Sequence, residues 1–442
     1  MNGTSSLDNI STKQQRIAML AKQSAGMAFT TLAHHIDIEW LKEALCLTRK
    51  DAAPGVDGQN AQQYAADLEA NLQALLKRAK SGTYRAPPVR RVHILKGDGQ
   101  STRPIGIPTF EDKVLQRAIV MVLEPIYEQD FLDCSYGFRP RRNAHQALDS
   151  FWKQAMLMNG GWIVEVDISK FFDTLDHRHL HELLRKRVRD GVLLRLIGKW
   201  LQAGVMEDGS ISTPQAGTPQ GGVISPLLAN VYLHEVLDTW FERTVKPRLH
   251  GRAFIVRYAD DFVMGFSCEE DARRVMNVLP KRLGRYGLTL HPEKTRMVPF
   301  RPPQHRPTVV SEGPGTFDLL GFTHYWGLSR KKHWVIKRKT AKGRLKRSLK
   351  AIWAWCKTHR HRPVKEQQRT LNRKLHGHYG YYGITGNGRA LENFSLAVRR
   401  TWQRWLARRS RRRMTWERFN ALVTAFPLAP PVVVHSAMRS SQ

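Results

Sequence analysis

The sequence predicts an α+β body over residues 29–300 followed by an all-α region over 331–425, and three stretches carry that prediction. Trp162-Ile163-Val164-Glu165-Val166-Asp167-Ile168 alternates poorly and is largely apolar, which suits a strand buried on both faces. Phe254-Ile255-Val256 and Phe262-Val263-Met264 flank the polar break Tyr258-Ala259-Asp260-Asp261, and two β-type runs around so short a break read as a tight hairpin. Downstream, Leu345, Leu349, Ile352 and Cys356 line one side of a helix, with Lys342, Arg344, Lys346, Arg347 and Lys350 on its other faces.

Taken in order, residues 1–28 are polar and Ser/Gln-rich and are expected to form a loose leader. Leu32, Ile36, Trp40, Leu41 and Leu45 mark a helical face between Phe29 and Arg49, within an extension over 29–60 that contains the turn Gly55-Val56-Asp57-Gly58. Residues 60–80 carry a second amphipathic helix through Leu68, Leu72, Leu75 and Leu76. Pro87-Pro88 then opens an extended, basic hairpin at Val89 to Ile94, closed by Gly97-Asp98-Gly99. Residues 112–128 and Asn143 to Met156 return to helix, and strands alternate with helices to about Pro299. Residues 301–330, proline-rich between Pro302 and Pro314, are expected to be a linker and the end of the body, and 426–442 a tail.

Composition bears on partners. There are 71 Lys and Arg against 38 Asp and Glu, a net charge of +33, and a surplus of that size points to a polyanion. No apolar segment approaches the ~20 residues needed to span a bilayer, and the N-terminus lacks the basic start and apolar middle of a signal peptide. A cytoplasmic protein, in the bacterial cytosol or associated with the nucleoid, is the expectation. Cys46, Cys134, Cys268 and Cys356 are far apart and form no C-x-x-C pair, so neither a zinc site nor a disulfide framework is indicated, and all four are expected as buried small apolar residues.

The chemistry-bearing residues are carboxylates. Asp260 and Asp261 are adjacent, and neighbouring carboxylates repel unless something positive sits on them; two hard oxygen donors suit Mg²⁺. Taken alone the pair reads equally well as an acidic turn. The tie is broken upstream, where Asp167 emerges at the end of an apolar strand beside the aromatic pair Phe171-Phe172. Three carboxylates at strand ends meet the requirement of two-metal phosphoryl transfer.

At these residues the chain resembles the reverse transcriptases of the group II intron maturase family, in the bacterial form without an endonuclease domain. The ordered motifs are Gly55-Val56-Asp57-Gly58, Arg90-Arg91-Val92-His93-Ile94-Leu95-Lys96, Arg103-Pro104-Ile105-Gly106-Ile107-Pro108 and Ser135-Tyr136-Gly137-Phe138-Arg139-Pro140. After them come the Asp167 to Asp173 segment, Thr218-Pro219-Gln220-Gly221-Gly222-Val223-Ile224-Ser225-Pro226-Leu227-Leu228-Ala229-Asn230, the Tyr258 to Asp261 box, Leu290-His291-Pro292-Glu293-Lys294-Thr295 and Leu320-Gly321-Phe322. The resemblance implies a right-hand polymerase, with fingers and palm built on an antiparallel palm sheet, followed by an all-α thumb/maturase domain. It implies Asp167, Asp260 and Asp261 as catalytic residues and Asp167, Ile168, Asp260 and Asp261 as the metal set for two Mg²⁺ ions, with Mn²⁺ as substitute. Arg90, Lys96, Phe172 and Gln220 are implied at the dNTP, Phe172 as the gate under its sugar; Leu95 departs from the proline usual before that lysine.

Nucleic-acid contacts are expected at Arg139, Lys294, Lys346, Arg347, Arg408, Arg409, Arg411 and Arg412, while Trp402 and Trp405 read as core. The rings of His376-Gly377-His378-Tyr379-Gly380-Tyr381-Tyr382-Gly383 read either as base-stackers or as core aromatics. The implied partners are dNTPs, an RNA template with a DNA primer, structured intron RNA and target DNA. After Ala425 there is no cysteine pair and no His/Asn constellation, so the endonuclease is expected to be absent. Two other functions fit the same chain: a host-adapted, intron-free reverse transcriptase in DNA repair or defence, and a non-catalytic RNA-binding splicing cofactor, against which the intact acidic triad argues.

Overall fold

The helix Phe110–Asp130 is apolar around most of its circumference, and a helix with that pattern has to be enclosed by others. Val114, Leu115, Ala118, Ile119, Val122 and Leu123 are all fully buried, so this helix is the spine of the larger core. This computed structural model describes residues 3–95, 102–207, 210–212, 217, 221–303, 315–409 and 414–435. The chain forms two compact units, Met1–Phe151 with Gly161–Met297, and Trp152–Gly160 with Val298–Gln442.

In chain order the strands are β1 (Val89–Leu95), β2 (Thr102–Ile107), β3 (Gly161–Val166), β4 (Val205–Glu207), β5 (Ser210–Ser212), β6 (Ala253–Tyr258), β7 (Asp261–Phe266), β8 (Arg296–Phe300), β9 (Phe317–Leu319), β10 (Phe322–Leu328) and β11 (Trp334–Thr340). The first unit holds the sheet β2-β1-β4-β5, in which β1 and β2 are the expected basic hairpin and its closing turn lies outside the described residues. It also holds the antiparallel set β6-β7-β3, with β8 next in order, where the chain passes into the second unit. Burial of Ile163, Val164 and Val166 agrees with the apolar strand read at Trp162–Ile168.

The structure corrects the loose leader. Gly3–Gln23 is a helix with Ile10, Ile17 and Ala21 buried against the Phe110–Asp130 helix, and Gln14 Nε2 donates to the Met121 carbonyl at 3.0 Å. Apolar residues spaced seven and four apart form one stripe of a helix even when the composition around them is polar. The helix expected between Phe29 and Arg49 is shorter, Ile38–Cys46, because Asp37 caps it by accepting from the Trp40 amide. The helix expected over 60–80 divides at Asp67 into Ala61–Ala66 and Leu68–Ser81 and stops at Gly82, whose φ of 85° ends it.

In the second unit, β11-β10-β9 form a sheet, so 331–425 is not all-α and 315–330 is not simply linker. The strand signal was present in Trp334-Val335-Ile336-Lys337-Arg338-Lys339-Thr340, which turns Ile336, Arg338 and Thr340 inward at the period of a strand. The helices Lys342–Thr358, Val364–Tyr382, Gly388–Leu406 and Trp416–Ala425 then close on Ile352, Cys356, Leu371, Tyr379, Phe394, Trp402 and Phe419. The expected tail is tied down as far as it is described. Ala429 N–H donates to Asn372 Oδ1 at 2.8 Å, and the amides of Val434 and His435 both donate to the Gly383 carbonyl at 2.8 Å. Of the cysteines only Cys356 is buried; Cys134 and Cys268 are half-buried and Cys46 is exposed, a correction to the uniform burial expected. Among the described residues no helix is long and apolar enough to cross a membrane.

If the N-terminal helix is part of the core, Ile17→Ala should destabilise the protein by about 2–4 kcal/mol, as other large-to-small core changes do. Chemical denaturation monitored by tryptophan fluorescence measures this; a change near zero would restore the loose leader.

Candidate active site

β6 and β7 pair down to Tyr258↔Asp261, which leaves only Ala259 and Asp260 in the turn. The four-residue break expected is thus a two-residue hairpin, with Asp260 at its tip and Asp261 opening β7. Ala259 has φ of 58°, the left-handed region, unfavourable by roughly 1–2 kcal/mol for a residue with a Cβ. Two contacts hold it there. The Ala259 carbonyl accepts from Arg257 Nη1 at 3.0 Å, and the Gly137 backbone lies so close that a Cβ at 137 would fall on the Ala259 amide nitrogen.

Arg257 is fully buried and fully partnered. Its Nε and Nη2 donate to Asp238 Oδ1 and Oδ2 at 2.8 and 2.6 Å, a two-pronged pair, while Nη1 reaches Asn230 Oδ1 at 2.9 Å and Nη2 reaches Ser135 Oγ at 2.7 Å. Asn230 turns its other end to the Gly137 carbonyl at 2.7 Å. The backbone of Arg257 donates to Cys134 at 2.8 Å and accepts from Tyr136 at 2.9 Å, so the Ser135–Gly137 loop is stitched along the hairpin. Asp238 comes from a π-helical turn, His234–Asp238, that follows the helix Ser225–Leu233. Ser135 and Asn230 stand in the quoted motifs without a role assigned to them, and neither Arg257 nor Asp238 was singled out from sequence. The available signal was a charge inside the apolar run of β6.

β3 pairs with β7 as far as Val166↔Phe262, so one more step of register sets Asp167 opposite Asp261. Asp167 is clamped from its other side: the His291 amide donates to its carbonyl at 2.8 Å and the Ser169 amide donates to Thr289. Bonds from the flanking residues turn the carbonyl of Ile168 away from Leu290, its partner in that bridge. Lys294 Nζ donates to Asp167 Oδ2 at 2.8 Å. Burial pushes the Asp260 carboxyl above its ordinary value and nearby Asp167 adds to the push, while Arg103 and Arg257 pull the other way. Arg103, from β2, is a neighbour of the site that sequence reasoning did not single out. Among the described residues no three His, Cys, Asp or Glu side chains converge tightly enough to hold a metal ion. The donor set still fits a hard divalent cation, because the charge of Asp167 disfavours ionisation of Asp260 and all their donors are oxygens.

Phe171 and Phe172 divide as the strand-to-helix turn requires: Phe171 is 2% exposed in the core, and Phe172 is only partly covered. Gly217, at φ of 92°, passes so close to the Phe172 and Asp173 carbonyls that a side chain there would collide with them. Gln116 Oε1 accepts from the Val223 amide at 2.8 Å, anchoring the segment that follows the paired glycines.

Comparison with known proteins gives the family. Residues 94–324 match the family model described as reverse transcriptase (RNA-dependent DNA polymerase). The chain belongs to the reverse transcriptase family. It is 38% identical over 289 residues to Protein YkfC of Escherichia coli K12, covering 58% of this chain and 75% of that protein. It is 38% identical over 228 residues to the group II intron-encoded protein LtrA of Lactococcus lactis, covering 50% of this chain and 37% of LtrA. Nuclear intron maturase 2 of Arabidopsis thaliana is 30% identical over 177 residues, 31% of this chain and 24% of that one. This is therefore a reverse transcriptase of the group II intron type, an RNA-directed DNA polymerase by family, and it spans little more than a third of LtrA.

The remaining residues expected to bind are placed as follows in this reverse transcriptase. Arg90 is half-buried with Nε and Nη2 on the Pro54 carbonyl at 3.1 and 2.8 Å. Lys96, Gln220, Arg411 and Arg412 lie outside the described residues. Arg139 needs correction as a nucleic-acid contact: its side chain is 3% exposed, paired with Glu128 through Nε and Nη2 at 3.0 Å and bonded to the carbonyls of Leu132 and Ser135. Lys294 sits in the carboxylate cluster. Lys346, Arg347, Arg408 and Arg409 are exposed, with the Arg408 guanidinium 5.0 Å from the Trp405 ring, and Trp402 and Trp405 are core. In the Gly377–Gly383 element His378 and Tyr379 are buried, and His378 stacks on Phe394 at 3.7 Å.

Arg257→Met should strand the buried Asp238 carboxylate and cost about 3–5 kcal/mol, the usual result of removing one partner of a buried pair. Urea denaturation checks it; a loss below 1 kcal/mol would mean that the pair is not what braces the hairpin.

Proposed function

We propose that this protein adds dNTPs to a primer 3′-hydroxyl on an RNA template by two-metal-ion nucleotidyl transfer, and that it also acts as a maturase assisting splicing and mobility of a group II intron. The observation that carries the first part is the meeting of Asp260 at the hairpin tip with Asp167 at the end of β3, in a family of RNA-dependent DNA polymerases. Two Mg²⁺ ions, or Mn²⁺ in their place, would be held by Asp167, Asp260, Asp261 and the carbonyl of Ile168, and would activate the attacking hydroxyl and neutralise the departing pyrophosphate.

The chain's own groups do the rest. Lys294 orients the Asp167 carboxylate, and Arg257 with Gly137 holds the tip. On this reading Arg90 and Lys96 would meet the triphosphate and Gln220 the sugar, and the partly uncovered Phe172 would block a 2′-hydroxyl while Phe171 stays in the core. The maturase part is supported by relatives named as intron-encoded proteins and an intron maturase, and by the charge of +33. A structured RNA is a dense polyanion, and protein cations can bridge its phosphates. The reading puts the protein in the bacterial cytosol, with intron RNA and target DNA as partners.

Asp260→Ala should abolish primer extension while RNA binding in a filter assay and promotion of intron splicing at low Mg²⁺ stay near wild type. Extension within tenfold of wild type would remove the triad assignment, and splicing that is equal with and without protein would remove the maturase. Phe172→Val should raise ribonucleotide relative to deoxyribonucleotide incorporation, measured as the ratio of kcat/KM values. An unchanged ratio would assign Phe172 to packing alone.

A further inference from the structure

A groove of about 710 Å³ opens between the helices His177–Arg185 and Gly191–Leu201, in the first unit, and its lining carries four cations, Arg185, Arg189, Arg195 and Lys199, with His181 beside them and Gln202 at one end. Among the described residues none of these cations meets a carboxylate within ion-pairing distance. Arg185, Arg189 and Arg195 are exposed, and the hydrogen bonds that Arg189, Arg195 and Lys199 make go to main-chain carbonyls. Arg187 provides the contrast within the same stretch. It turns inward, is 8% exposed, pairs with Asp130 at 2.8 Å and bonds the carbonyls of Ala21, Ser24 and Met27. The fold therefore separates one structural arginine from a set of cations left facing one another across open space.

Such a set repels itself, and the repulsion is relieved by an anion with several charges. Arg195 and Lys199 are one helical turn apart on the same face, with Gln202 three residues further on, so the donors run in a row along the groove rather than around a point. A row suits a chain of phosphates better than a single phosphoryl group. Small residues keep the space open. A Cβ at Gly198 would come 3.3 Å from His181 Nε2, and one at Gly82, at φ of 85°, would come 3.3 Å from the Arg195 guanidinium. Burial and the charges of Arg185 and His177 lower the pKa of His181, which keeps its imidazole neutral. Neutral His181 and Gln202 each offer a donor and an acceptor, the groups able to meet a ribose 2′-hydroxyl.

We infer that this groove is a second nucleic-acid site, one that binds the sugar–phosphate backbone of RNA and stands apart from the polymerase carboxylates. None of its residues belongs to the Asp167–Asp260 cluster or braces it. The inference goes beyond the polymerase reading and does not depend on its chemistry, because it concerns affinity and not turnover.

The test is the full-length triple variant R185E/R189E/R195E, with a matching R185Q/R189Q variant should charge reversal impair folding, and thermal melting as the control for fold. Filter binding of a labelled transfer RNA, used as a compact structured RNA, is titrated with salt beside a duplex DNA with the same number of phosphates. Transfer-RNA affinity should fall at least tenfold, and the slope of log affinity against log salt should flatten by about 2–3, one lost contact accounting for roughly 0.7–0.9. Duplex DNA should lose less, and extension of a short primer–template should stay within twofold of wild type. Unchanged affinity and slope would overturn the site. Equal losses for RNA and DNA would overturn the assignment to RNA, and a parallel loss of extension would overturn its independence from the polymerase path. The same binding measured on Asp260→Ala separates the two readings: a groove effect there, with extension already gone, leaves the inference standing whatever becomes of the catalytic assignment.

Discussion

A guanidinium inside the core of the first unit is what the candidate site depends on. Arg257 reaches Asp238, Asn230, Ser135 and the carbonyl of Ala259, and through them ties together a π-helical turn, the helix before it, the Ser135–Gly137 loop and the hairpin tip. A buried ion pair adds little net stability, since removing two charges from water costs about as much as their attraction returns. What this one supplies is geometry. Ala259 is left-handed where its carbonyl meets the Arg257 donor and its amide packs on the Gly137 backbone, and that conformation sets the direction in which Asp260 leaves the chain. A carboxylate at Asp260 that burial and the nearby Asp167 charge both disfavour needs such a brace, because otherwise the turn would relax and let the two part.

The position of Asp238 follows from the same requirement. A regular helix continued past Leu233 advances each side chain by a fixed angle, and a wide π turn changes that phase by one residue. The His234–Asp238 turn brings the Asp238 carboxylate square to the Arg257 fork, with both of its oxygens used. The second such turn, Phe241–Val245, follows within the same segment, and Phe241 is buried against Phe266 of β7. Irregularity in this stretch is concentrated where a side chain must be aimed.

The residues legible in the sequence were those that broke a local pattern. Asp167, Asp260 and Asp261 are acids at the ends of apolar runs, and Phe172 follows from counting onward from Asp167. Arg257 broke a pattern too, being a charge within a buried strand, but its meaning lay in a carboxylate 19 residues upstream that local reading does not connect to it. Arg139 failed for the complementary reason: its charge looked like a ligand for phosphate until Glu128, 11 residues away, was seen to occupy it. The N-terminal helix was hidden by composition, since Ile10, Ile17 and Ala21 are too sparse to stand out among Ser and Gln yet fall on one stripe. β11 was hidden by its lysines and arginines, which are tolerated because alternate residues of a strand face away from the core.

With 71 basic side chains and 38 acidic ones, at least 33 cations in this chain have no acid to pair with, so the placement of the acids decides which cations are structural. Glu128 makes Arg139 structural, Asp130 does the same for Arg187, and Asp238 for Arg257. Arg185 and Arg189 flank Arg187 by two positions on either side, and only the middle one is drawn inward. Counting basic residues along a segment therefore says little about where a polyanion binds. The informative quantity is the set of cations that the acids leave behind, and in the first unit that set includes the groove between His177–Arg185 and Gly191–Leu201. At the polymerase carboxylates the balance is reversed: acids crowd together there, and Lys294, Arg103 and Arg257 are the cations that make the crowding tolerable. One surface leaves cations without acids and the other crowds acids together, so each is relieved by a partner of the opposite charge.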